Sequence, residues 1–162
     1  MNGKYFINDY GKLTINEISK LEGHEGEHEV DERLPLSVWY GRILDKKLAD
    51  LSDGDIAKLI RQNVHLPHVV PEGIKRIHLN PIAGDLGDFE LLEAFNYIDV
   101  EEWKLELQLS YEVKIFFIKL LEKIERNELD LPQDKERFSE EDREELKGNI
   151  EKTINTLQEA LS

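Results

Sequence analysis

The chain contains no cysteine, which excludes disulfides, a thiol nucleophile and thiolate metal ligation. Basic residues are few beside the acids: 21 Lys and Arg against 35 Asp and Glu give a formal net charge of −14, a field that repels phosphate and disfavours a nucleic-acid ligand. Long apolar runs are missing too. The richest, Val113 to Leu121, contains two lysines and falls well short of the roughly 20 residues a bilayer span needs, so no membrane segment is expected. The opening MNGKYFINDYGKL lacks both the apolar stretch and the small-residue cleavage pattern of a secretory signal, and a soluble, cytoplasmic protein is expected.

Hydrophobic residues make up 40% of the 162 positions, enough for one core, so the chain is read as a single domain over 1–162. Period-two alternation is scarce, whereas helical spacing recurs. Pro35 suits a first helical turn, with Leu36, Trp39, Tyr40 and Ile43 following at helical intervals. Ser52 and Asp55 fit a capping box opening a helix with Ile56, Leu59 and Ile60. Pro67 and Pro71 bracket the start of a helix over Val70 to Leu79, which Asn80-Pro81 ends because proline disfavours helix at the residue before it. Gly84 and Gly87 mark a turn, and Asp88 is read as the cap of a helix carrying Phe89, Leu91, Leu92 and Phe95.

Asp99 can cap a short helix with Trp103, and Tyr111 to Ile124 reads as the central core helix. Asn127 to Arg137, containing Pro132, reads as a connection. Ser139 then caps a long amphipathic helix with apolar Leu146, Ile150, Ile154, Leu157 and Leu161 on one stripe. The expected fold is all-α, an irregular bundle of about six or seven helices.

Catalytic signals are weak. His24-Glu25-Gly26-Glu27-His28 matches the zinc-protease pattern of two histidines four apart with a glutamate after the first, which works only on a regular helix. Here Gly23 and Gly26 disfavour that helix by about 1 kcal/mol each, and the stretch Glu22 to Glu32 reads as a solvated acidic loop. His65, His68 and His78 read as surface or partly buried side chains and not as ligands. No nucleophile elbow surrounds Ser37, Ser52, Ser110 or Ser139. Gly84-Asp85-Leu86-Gly87 puts an anion where a phosphate would sit. No enzyme class, cofactor or metal is expected.

The segment from Lys46 to Leu92 is the most particular. Its order of Lys46-Lys47-Leu48-Ala49, Asp55 to Gln62, Val69-Val70-Pro71, Asn80-Pro81-Ile82-Ala83-Gly84-Asp85 and Leu91-Leu92, with Trp103 after it, resembles the immunity proteins of bacterial contact-dependent growth inhibition (CDI) systems. The chain departs from that pattern at Arg61, His68 and Phe89-Glu90. The resemblance implies a cytoplasmic protein that binds the C-terminal toxin domain of a cognate surface-delivered effector; the sequence does not give an oligomeric state, and a monomer is the favoured expectation. It would block the toxin's active site or an adjoining exosite without chemistry of its own. Such toxins are often nucleases with basic grooves, toward which an acidic protein is steered.

The acids expected to meet that partner are Glu25, Glu27, Glu29, Asp31 and Glu32 in the acidic loop, and Asp85, Asp88, Glu90 and Glu93 around the glycine turn. The same acidity also serves solubility, and a general acidic adaptor or nucleic-acid mimic is the competing expectation.

Overall fold

A computed structural model describes residues 9–24, 28–129 and 139–162. Among these residues the fold is all-α. Its helices are α1 (Ile15–Leu21), α2 (Pro35–Ile43), α3 (Asp53–Arg61), α4 (Leu66–Leu79), α5 (Glu90–Ala94), α6 (Val100–Lys104), α7 (Leu107–Glu125) and α8 (Glu140–Leu161). Single 3₁₀ turns cover Leu48–Asp50 and Phe95–Tyr97. No helix is long and apolar enough to cross a membrane, again among the described residues.

Helix starts follow local chemistry. Thr14 accepts the Glu17 N–H while the Glu17 side chain returns to the Thr14 N–H, a full capping box. This motif predicts α1, the one helix absent from the sequence-based set. Ser139 and Asp142 cap α8 in the same reciprocal way, and Asp99 caps α6. At α3 the box is only half formed. Ser52 accepts from Asp55 N–H, but the Asp55 carboxylate instead takes the Trp39 indole N–H at 2.8 Å and so ties α3 to α2.

Other expectations shift. Helix α4 begins at Leu66 and runs through Pro71, its sixth residue, where the proline forgoes the hydrogen bond to the Pro67 carbonyl and is kept in the helix by its burial. Helix α7 starts four residues before the expected Tyr111. Asp88 is not the cap of α5: the cap position is Phe89, left-handed at φ 69° with no side-chain cap, and the helix begins at Glu90. Burial of the Phe89 ring, 4% exposed, outweighs the backbone cost of that conformation. The expected connection at Asn127 to Arg137 lies outside the described residues from position 130 onward.

Packing gathers the apolar stripes into one core. Helix α7 lies along α8, α3 contacts α4 and α5, and α6 also meets α8. Phe117, fully buried, stacks edge-on against Phe95 at 5.4 Å and Phe116 at 5.2 Å, which joins α7 to the 3₁₀ turn after α5. The strand-like contact between Thr14 and Lys47, extended by Leu48 N–H to Leu13 at 2.8 Å, fastens the approach to α1 against the α2–α3 connection. These contacts bring the end of α1, the α3–α4 turn and the α4–α5 loop to fixed positions.

Candidate functional site

Three polar clusters stand on this frame. The first centres on Glu22, just past the end of α1. Its Oε1 faces His65 Nδ1 at 2.5 Å and its Oε2 faces His68 Nδ1 at 2.7 Å. Because an ionised carboxylate only accepts, both rings carry their proton on Nδ1. His65 Nε2 lies 2.7 Å from the Tyr40 hydroxyl, so a neutral ring accepts from Tyr40. Burial raises the Tyr40 phenol above its ordinary range, with Ser19 opposing. His65 itself is held at φ 54°, left-handed for a non-glycine residue.

Glu22 thus joins the end of α1 to the α3–α4 turn through His65 and to α4 through His68, and His65 carries the link on to Tyr40 of α2. Glu22, expected in a solvated loop, is therefore an internal hub with a side chain only 19% exposed. The buried His65 likewise corrects its reading as a surface or partly buried side chain. Beside the hub an open groove of about 500 Å³ is lined by Glu22, His24, Asn63, His65, Pro67 and Glu102. No group of three or more potential metal ligands occurs among the described residues, and neither His24 nor His28 lies on a helix.

The second cluster is the α4–α5 loop. Glu90 Oε1 accepts the backbone N–H groups of Asp85 at 2.8 Å and Leu86 at 3.2 Å, so the anion in this turn is the chain's own carboxylate. Glu90 Oε2 lies 3.9 Å from Arg61 Nη1. Asp85 packs against the first turn of α3: a Cβ at Gly54 would come 2.5 Å from Asp85 Oδ2.

The third cluster is an open cleft of about 430 Å³ between the α5 region and α8, lined by Glu93, Asn96, Tyr97, Glu145, Asn149 and Lys152. Burial, and next the facing Glu145 carboxylate, push Glu93 above the usual carboxylate range. Asn96 Nδ2 bonds Thr153 Oγ1 at 2.7 Å and Asn149 O at 3.0 Å, fixing the cleft floor.

The expected partner-facing acids are therefore unequal. Asp85 and Glu90 meet in one loop, and Glu93 lies in the cleft with Glu145, which has no local sequence signal pairing it to α5. Asp88 is exposed at the loop. Glu29 and Glu32 are exposed before α2, whereas Asp31 pairs with Arg33 at 3.0 Å, a contact that holds its carboxyl below the ordinary range. Glu25 and Glu27 lie outside the described residues.

The described residues form an acidic helical protein whose carboxylates either close internal networks or line open surface. Residues 20–113, more than half of the chain, match the sequence model of the CDI immunity proteins. The chain belongs to that family, and toxin neutralisation is the family's role. Families of immunity proteins are typically not enzymes. No curated protein matches the chain.

Proposed function

We propose that this chain binds the C-terminal toxin domain of one cognate CDI effector in the cytoplasm and silences it by covering its active site or an adjoining exosite. Family membership carries the reading, and the −14 charge supports a basic partner such as a nuclease groove. The Glu93–Glu145 cleft, lined also by the chain's own Lys152, offers two crowded carboxylates to a lysine or arginine of the partner. The chain contributes contacts and no chemistry, and it acts as a monomeric single domain.

Co-expression with the toxin domain encoded immediately upstream should protect cells. Calorimetry should give a dissociation constant at about nanomolar or tighter, with an association rate that falls as salt rises. Binding of several unrelated basic proteins at about micromolar affinity, without protection, would instead identify a general acidic adaptor.

A further inference from the structure

The α4–α5 loop is held by more devices than a connection requires. Phe89 N–H bonds Ile82 O at 3.0 Å and Leu91 N–H bonds Ala83 O at 3.1 Å, closing the loop at its base. Glu90 then takes two N–H groups from the tip, and Phe89 is buried in a left-handed conformation that leucine-sized or larger residues adopt only under constraint. Gly84 leaves no room for a side chain: a Cβ there would lie 2.1 Å from Gly87 O and 2.7 Å from the Glu90 Cβ. Leu86, at the tip, is 91% exposed, the highest value among the exposed large hydrophobic residues described.

A lone exposed leucine is ordinary on protein surfaces. A leucine held out on a fixed backbone is different, because the entropy of ordering the loop is lost before any partner arrives and the binding cost falls accordingly. Asp85 and Asp88, both exposed, flank it, Asp85 with one carboxylate oxygen turned toward the first turn of α3. The chemistry that complements this tip is a shallow apolar socket with a basic rim, on a protein partner.

We propose that the loop over residues 84–88 is a preformed anchor, with Leu86 seated in a basic-rimmed apolar socket on the toxin domain. This rests on the immunity reading above and adds to it the element that makes contact. Glu90 is a positioning residue: it holds the backbone that aims Leu86.

Calorimetry with the toxin domain encoded immediately upstream tests the proposal on the full chain. Leu86→Ala should weaken binding about tenfold or more, and Leu86→Asp further, with unchanged melting temperatures since the side chain is solvent-facing. Leu79→Ala is the control, 76% exposed but at the end of α4 and outside the clamped loop, and should bind like wild type. Glu90→Ala should also weaken binding, and the Leu86→Ala/Glu90→Ala double variant should lose less than the product of the single losses because both act through one anchor. A Leu86→Asp variant binding within about twofold of wild type, beside a wild type that binds tightly, overturns the anchor and leaves the immunity reading standing. Failure of the wild type itself to bind overturns both. An equal loss in Leu79→Ala, or a change confined to self-association in ultracentrifugation of Leu86→Asp, overturns the anchor.

Discussion

The Arg76 guanidinium donates through Nε to the Glu72 carboxylate at 2.7 Å, one turn earlier on α4. The Glu72 side chain is only 5% exposed, and the same guanidinium reaches Asp53 Oδ1 at 3.1 Å and the carbonyl of Ala49 at 3.2 Å. One cation thus holds α4 to the start of α3 and to the 3₁₀ turn before it. Arg76→Ala should destabilise the fold by about 3 kcal/mol in urea unfolding, since it strands a buried carboxylate. Adding Glu72→Leu should restore a large part of that loss.

The Glu22 hub predicts a second stability effect. Glu22→Gln leaves an amide whose single acceptor oxygen cannot serve both His65 and His68. A loss of about 1–3 kcal/mol in chemical denaturation is expected. Tyr40→Phe, which removes the donor facing His65 Nε2, should cost about 1 kcal/mol. No loss in either variant would show that the network is replaced by water without penalty.

Glu93 makes one pH-dependent contribution to stability. Its carboxyl is raised above the ordinary 4.5, so the folded state binds the proton more tightly than the unfolded state does. That contribution is fully present below pH 4.5 and is lost as pH rises through the folded value. Glu93→Gln removes the charge and should raise the melting temperature at pH 7 by about 1–2 °C, the scale of a fraction of a kcal/mol in a chain of this size. The wild-type and Glu93→Gln melts should converge as pH falls below the ordinary carboxyl value. An advantage that stays constant across pH would sever the link to ionisation.

Two glycines should respond with opposite signs. Gly84→Ala collides with Gly87 O and should cost about 2–3 kcal/mol. Gly148, inside α8 and with nothing within 4 Å of an added Cβ, should gain about 0.5–1 kcal/mol on substitution by alanine. Thermal melts of both variants, read side by side, check the pair.

Helical content was legible because the apolar spacing of α7 and α8 and the caps Asp99 and Ser139 act within one or two turns. The start of α4 and the cap of α5 were not. In both, a burial gain from distant contacts overrides the local rule: Pro71 stays inside a helix, and Phe89 accepts a left-handed backbone. The sequence singled out Asp85, Glu90 and Glu93 as acids, but not Glu22 or Glu145, and not what any of them would face. Glu22 meets His65 across 43 positions and Glu93 meets Glu145 across the α5–α8 contact, separations for which a sequence carries no periodic signal. Glu90 shows the reverse case, a residue picked out for a partner that also satisfies two N–H groups of its own loop.

The family match ends at residue 113, while α7 continues unbroken to Glu125 and lays its later turns, Phe116, Phe117, Leu120 and Ile124, into the core beside α8. The edge of the shared sequence is therefore not a seam in the molecule. Chimeras that exchange segments with another family member to redirect toxin choice should be cut in loops, with α7 and α8 carried over together. A join at the match boundary would set two half-helices from different parents in the centre of one core.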